Sequence, residues 1–561
     1  MVNRRKEDLI YLTVFFVAIA ILNIISSFVF ERFDFTREKR YTLSNNTKAI
    51  LSKIDESLQV TVYLEGDFPA GFKRLRNSTR DLLSDYRAYS GKNIKVDFIN
   101  PTSGNPDAQQ QVYEDLITKG IEPTNLSVKT EDGLTQKIIF PAALITYQGK
   151  QIAVNLFQTR MGISPEEVLN NSIQNLEYAF TSAIKKIISG GKPRIGFTES
   201  NGELNDLQLA DAMNSLQDGY EAGRVNLETI TFDGLDKIKL LIISKPDKEF
   251  TEAEKYKIDY YLMKGGSIFW AVDNVNAELD SLQRGSQLAF AKKLNLDDML
   301  FKYGVRINYD LIADMNCSQI PLSVGNVGGQ AQIQLVPWLF YPIFIPVSNH
   351  PLVKNLEGIR SEFASTIDTI AIPDVKKFII LSSSPFNRLL RIPSLISLQM
   401  AEQQPDPEAF KSEPKNVGVL LEGSFPSVFA NRPVPEGINE VVNIPAKSLP
   451  AKMIVIADGD ILKNQISSKD DSPFPLGFDR YTEQQFGNKN FLLNIADYLT
   501  DDSRIIELRN KEIKIRLLDK ARIRAEKLDW QLFNIIGPLL LIVIFAVFYQ
   551  YYRKRKFTGS L

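Results

Sequence analysis

The sequence predicts an α/β protein in which apolar helices at both ends enclose a small α/β domain and a larger doubly wound one. Three observations carry this reading. Uncharged runs near each end are long enough to cross a bilayer, strand and helix patterns alternate from residue 58 to 190, and short apolar strand patterns recur from 193 to 500.

The first uncharged run, Leu9 to Phe30, has 22 residues and the second, Trp530 to Tyr552, has 23. At about 1.5 Å per helical residue each covers the roughly 30 Å hydrocarbon core. Tyr549, Tyr551 and Tyr552 sit where an interfacial aromatic belt is expected. Arg4, Arg5 and Lys6 would suit a signal peptide, but the run is too long and Phe28-Val29-Phe30-Glu31 is a poor cleavage site, so an uncleaved anchor fits better. The short tails, 1–8 and 553–561, are basic, which predicts both termini in the cytoplasm and the long middle of the chain outside it.

After a juxtamembrane segment (31–57), the order of patterns is strand (Val60–Leu64), helix (Gly71–Tyr89), strand (Ile94–Phe98), helix (Asp107–Thr118), hairpin (Lys137–Leu156) and a long helix (Pro165–Ile188). That order over 58–190 predicts a thioredoxin-like unit. Its catalytic CxxC is missing, because Gly66-Asp-Phe-Pro-Ala-Gly71 stands in that place. Past Gly190-Gly191, strand patterns at Arg194–Phe197, Leu240–Ile243, Ser267–Val272, Phe378–Leu381, Val417–Leu421 and Met453–Ala457 read as a flavodoxin-like sheet over 193–500. A helix is expected over Asp206–Leu216, and Thr251 with Glu254 forms a capping-box pattern for another. An irregular insertion is expected near 315–350, where the prolines of Val336–Pro346 argue against helix and central strand. Residues 503–529 hold nine Lys or Arg against five acids and read as a basic stalk before the second apolar run.

Composition excludes more chemistry than it offers. Lys plus Arg total 66 against 67 for Asp plus Glu, without the basic excess of a nucleic-acid binder. The single cysteine, Cys317, and single histidine, His350, rule out an intrachain disulfide, a Cys-rich metal site and HExxH chemistry. No GxxxxGK[ST] loop is present, so ATP is not bound by a Walker motif, and no cofactor is expected. Ligands of doubly wound sheets sit at the carboxyl ends of the strands. The candidates there are Glu199, Asn201, Glu203, Asp273, Glu422, Asp458 and Asp460, to hold a cation or sugar hydroxyls, against the plainer reading that they cap the following helices. Candidate partner contacts are the aromatics Trp338, Phe340 and Tyr341, if exposed, and Arg516, Leu517, Arg522 and Arg524 in the basic segment.

The stretch Asp34-Phe-Thr-Arg-Glu-Lys-Arg-Tyr-Thr-Leu-Ser44 resembles a signature of the gliding-motility ABC-transporter auxiliary proteins of Bacteroidetes. The resemblance continues through Asn171-Ser-Ile-Gln-Asn-Leu-Glu177, Val336-Pro-Trp338 and Leu508-Arg-Asn-Lys-Glu-Ile-Lys-Ile-Arg-Leu-Leu518, across nearly the whole chain. It implies a non-catalytic inner-membrane subunit with a periplasmic domain, working with a separate ATPase and permease in cells that glide and use type IX secretion. The larger domain also resembles glutamine-amidotransferase-like domains. Their nucleophilic cysteine follows a strand, whereas Cys317 lies in the insertion, which removes that activity.

Overall fold

The computed structural model of the protein describes residues 2–28, 42–91, 93–103, 106–121, 123–130, 133–157, 164–327, 330–346, 348–402, 405–440, 442–501, 505–510 and 520–558. Helix α1 spans Val2–Phe28 and α2 spans Asn45–Leu51, the latter opened by Ser44, whose side chain accepts from the Thr47 N–H.

The small lobe follows in the order β1 (Leu58–Val62), α3 (Ala70–Tyr89), β2 (Ile94–Phe98), α4 (Pro106–Thr118), β3 (Thr124–Thr130), β4 (Gly133–Ile139), β5 (Ala142–Tyr147), β6 (Lys150–Asn155) and α5 (Pro165–Ile188). Its sheet runs β2-β1-β5-β6, with β1 and β2 parallel and the other pairs antiparallel. The expected hairpin is shorter than Lys137–Leu156, because β4 pairs with β3 in a separate ribbon that the sequence reading missed. Helix α3 buries Phe72, Leu75, Thr79, Leu83 and Tyr86, a three- and four-residue spacing that turns one face inward. Helix α5 starts with a Ser164 cap, Pro165 and two glutamates, and ends with Lys185 and Lys186, matching the helix dipole at both ends. Glu177 of α5 accepts from the Ser44 N–H (2.8 Å) and the Thr47 hydroxyl (2.9 Å), and so ties α2 to the lobe.

The larger lobe begins with β7 (Arg194–Thr198), α6 (Ala210–Leu216), β8 (Glu221–Val225), α7 (Phe232–Asp236), β9 (Leu240–Ser244), α8 (Glu252–Met263) and β10 (Ser267–Ala271). Helix α6 starts later than expected, since reciprocal bonds between Asn205 and Gln208 hold that stretch as a turn. Helix α8 has the capping box read from Thr251 and Glu254. The seven-stranded sheet runs Val375–Ser382, Asn416–Gly423, Ala451–Ile456, β10, β9, β7, β8. Every residue of β9 and β10 is buried, and alternate side chains face different cores. Leu241, Ile243, Ile268 and Trp270 point to one, and Leu240, Ile242, Phe269 and Ala271 to the other. Each buried large aliphatic side chain contributes about 1.5–3 kcal/mol. The sheet is mixed rather than wholly parallel: Asn416–Gly423 runs antiparallel to both neighbours.

The stretch near 315–350 is not irregular. Cys317–Val327 and Gln330–Phe344 form a long antiparallel hairpin, with Pro337 and Pro342 accommodated beside a register shift. A ribbon tolerates proline because a missing N–H costs little where no further strand needs it. Helix α9 (Asp297–Tyr303) packs on the first of the two cores, and α10 (Asn488–Thr500) on the second.

The chain then returns to the small lobe. Ile505 and Leu508, in a 3-10 turn over Ile505–Asn510, enter the core built by α3 and α5. The beginning of the expected 503–529 stalk is therefore part of a core, since its apolar side chains fill a gap beside α5. The residues up to 512 form one compact unit and 513–561 another. The second unit is α11 (Lys520–Thr558), which carries a stretch, Ala525–Arg555, long and apolar enough to cross a membrane. Among the described residues it is the single such helix. The apolar part of α1 that is described, Leu9–Asn23, is shorter.

Candidate functional site

Strand ends in the larger lobe bring three of the expected acids together. Lys245 follows β9, Asp273 follows β10, and Asp458 and Asp460 follow Ala451–Ile456, so parallel neighbours deliver four charged groups to one edge of the sheet. The Lys245 ammonium lies 2.6 Å from Asp460, 2.7 Å from Glu278 and 3.6 Å from Asp273, and Lys463 reaches Asp460 at 3.0 Å. Backbone donors complete the shell: Gly459 N–H to Asp273 (2.5 Å), Asp460 N–H to Asp458 (2.8 Å) and Glu362 N–H to Asp458 (3.1 Å). Lys245 itself has a left-handed backbone (φ 54°), and a Cβ on Gly459 would lie 2.5 Å from its side chain. Glycine is required at 459 by that approach.

Burial and the neighbouring carboxylates of Asp273 and Asp460 push the Asp458 carboxyl well above the usual range. Asp273 and Glu278 are also raised, chiefly by burial and against the pull of Lys245. For Asp460 burial acts the same way but Lys245 and Lys463 outweigh it, holding the carboxyl below its ordinary value. Lys245 stays charged because Asp460, Asp273 and Glu278 together overcome its desolvation. Oxygens of Asp273, Glu278 and Asp460 lie within 4.8 Å of one another, the spacing of a cation site. The Lys245 ammonium already pairs with all three of these side chains and Lys463 with Asp460, so the arrangement works as an internal ion network rather than as a metal centre.

The network extends to the hairpin. Arg360 pairs with Glu362 (2.6 Å), lies 3.8 Å from Asp479 and stacks 4.9 Å from the centre of the Tyr341 ring, while Asp479 accepts from the Ser318 hydroxyl (2.8 Å). Trp338, Phe340 and Tyr341 are 1–3% exposed and pack with Phe363 in a satellite core. They present no surface to a partner, which corrects their candidacy as contacts: the hairpin folds this aromatic face inward. Arg522 is exposed and pairs with Glu526 (2.8 Å), whereas Arg516, Leu517, the side chain of Arg524 and most of the Asp34–Ser44 motif lie outside the described residues.

The other expected acids separate. Asn201 N–H donates to Glu203 (2.6 Å) and its amide to Glu254 (3.1 Å), joining the loop after β7 to the start of α8. Glu199 pairs with Arg224 at the surface (3.3 Å). Glu422 lies at the opposite end of the sheet from Asp458, paired across from Lys452 and accepting from the Tyr498 hydroxyl (2.5 Å), because its strand runs antiparallel. Lys245, Glu278, Glu362, Arg360, Lys463 and Asp479 were missed by sequence reasoning. The signal available was a lysine directly after the buried run Leu240–Ser244.

Neither reactive candidate is activated. Burial, aided by Asp314, pushes the Cys317 thiol up to about 12, and burial lowers the His350 imidazole, whose Nδ1 accepts from the Leu352 N–H (3.3 Å).

The fold and this site define a mixed α/β protein that ends in an apolar helix and keeps its strand-end charges for internal use. Residues 192–495, just over half of the chain, match the family described as "ABC-type uncharacterized transport system", and the chain belongs to this family of auxiliary transport components. Residues 37–146 match a domain of unknown function (DUF7088). An uncharacterized protein of Borreliella burgdorferi is 21% identical over 575 residues, covering 99% of each chain. Among solved structures, the mmIFT52 N-terminal domain (14% identity, TM-score 0.31, covering 55% of this chain and 98% of that one) and a ThuA-like protein from Bacteroides uniformis (13%, 0.27, 56% and 95%) are similar at a level that carries no argument about function.

Proposed function

We propose that the protein is a non-catalytic, membrane-anchored accessory subunit of an ABC transporter, associated with gliding motility and type IX secretion. In this reading α1 and α11 both span the inner membrane, the termini are cytoplasmic, and the α/β lobes are periplasmic. A separate ATPase and a multi-span permease supply the energy and the path. The small lobe acts as a thioredoxin-like unit without redox chemistry, a label supported by its β2-β1-β5-β6 order. The order β8-β7-β9-β10 followed by Ala451–Ile456 supports the flavodoxin-like label for the larger lobe.

The family match over residues 192–495 carries the proposal. The surface of α11 adds to it: Leu532, Phe533, Ile535, Leu539, Leu541 and Phe545 are all exposed, on every side of the helix, which suits lipid and not water. Purification of the tagged full chain in mild detergent, followed by mass spectrometry, tests the proposal. An ATPase and a permease at a fixed ratio to the chain is the expected result, and recovery of the chain without either overturns it.

A further inference from the structure

Between the lobes lies a cleft of about 200 Å³, with α5 as one wall and α10 in the other. Each of these helices contributes two asparagines one turn apart, Asn171 and Asn175 on α5 and Asn490 and Asn494 on α10. Asn494 is engaged, donating to the Leu352 carbonyl (2.9 Å). The side-chain amides of Asn171, Asn175 and Asn490 have no hydrogen-bond partner among the described residues. Asparagine is a weak helix former, so helix stability does not account for its repetition on facing walls.

A side-chain amide offers a donor and an acceptor side by side, the complement of a peptide group. Residues four apart on a helix are separated by about 6 Å along its axis. That is close to the roughly 6.6–6.8 Å two-residue repeat of an extended chain, so one asparagine pair faces successive like-oriented peptide groups of a strand. The protein already uses this recognition internally. Asn488 of α10 accepts from the Arg360 N–H (3.0 Å) and donates to the Arg360 carbonyl (2.8 Å), clamping the short strand Ile359–Arg360. The charge at the end of the cleft is already matched, because Asp497 pairs with Lys186 (2.8 Å) and accepts from the hydroxyls of Tyr178 (2.8 Å) and Tyr220 (2.5 Å).

We infer that the cleft holds an extended, uncharged stretch of another polypeptide, gripped through its main chain by Asn171 and Asn175 on one wall and Asn490 on the other. The inference does not depend on the transporter reading, since peptide binding is measured on the chain alone. The probe is a pool of acetylated, amidated heptapeptides randomised over uncharged residues. It is equilibrated by dialysis against the full chain in detergent, and retained peptides are identified by mass spectrometry. A retained subset is expected. Its affinity should fall at least tenfold for the Asn171→Ala/Asn490→Ala variant at unchanged Tm, and likewise when alternate peptide nitrogens are methylated. If the double variant does not fold, Asn175→Leu, which keeps the volume and removes the amide, should show the same tenfold loss. No retained peptide, retention indifferent to these changes, or asparagine-dependent retention of cellohexaose in place of peptides overturns the inference.

Discussion

Replacing Lys245 with Met removes the charge from the ion network and leaves the shape nearly intact. The left-handed backbone at 245 is equally strained with either side chain, so that contribution cancels. What remains is electrostatic. Asp460 keeps Lys463 at 3.0 Å, but Glu278 and Asp273 lose the ammonium that lay 2.7 and 3.6 Å away, inside a site where Asp273 is 5% exposed. Breaking a buried pair by deleting one partner costs about 3–5 kcal/mol, and the retained Lys463 places this case near 3 kcal/mol. For a lobe of about 300 residues that lowers Tm by roughly 5 °C. Trp270, fully buried on β10 beside the site, provides the signal for thermal unfolding of the full chain followed by fluorescence. Adding Glu278→Gln to Lys245→Met should restore part of the loss by removing one of the stranded acids. A Lys245→Met variant that melts within 2 °C of the parent would refute the view that this ammonium holds the strand ends together.

Further outcomes follow from the same geometry. Gly459→Ala drives a Cβ to 2.5 Å from the Lys245 side chain and 2.9 Å from its Cα, and should cost about 1–3 kcal/mol, read as a lowered urea midpoint. The raised carboxyl of Asp458 makes stability depend on pH in a definite direction. Groups whose folded values are raised contribute stability that is complete below the unfolded carboxylate value, near pH 4, and is lost as pH rises through the folded value. Asp460 and Asp497, both lowered, remain ionised folded and unfolded above pH 5 and add no slope there. Asp458 should therefore contribute a fall in the urea midpoint between pH 5 and 8, equivalent to about 1.4 kcal/mol per pH unit while the fold retains its proton, opposed below about pH 6.5 by His350, whose lowered imidazole contributes stability as pH rises. The parent's midpoint should fall relative to that of Asp458→Asn over this interval, and parallel profiles contradict the assignment.

The sequence by itself determined many of the elements and their order, though not the ribbon Thr124–Ile139 or the hairpin Cys317–Phe344. Fully apolar runs such as Leu240–Ile243 and Ile268–Ala271 have few alternatives to a doubly covered strand, and Ser164-Pro165 and Thr251 with Glu254 fix helix starts through local backbone chemistry. Such features are written within a few residues, where one sequence suffices to read them. Tertiary structure decided what separated residues do. The antiparallel course of Asn416–Gly423 sends Glu422 to the far end of the sheet from Asp458, although both acids follow apolar strand patterns of the same kind. The hairpin over 317–344 turns Trp338, Phe340 and Tyr341 into a core that composition alone leaves as a choice between surface and interior. Ser44 and Glu177, 133 positions apart, meet at 2.8 Å, and Lys245 meets Asp460 across 215. Charge pairing and burial depend on which strands become neighbours and in which direction they run, and that is set by the packing of the whole sheet rather than by any local stretch of it.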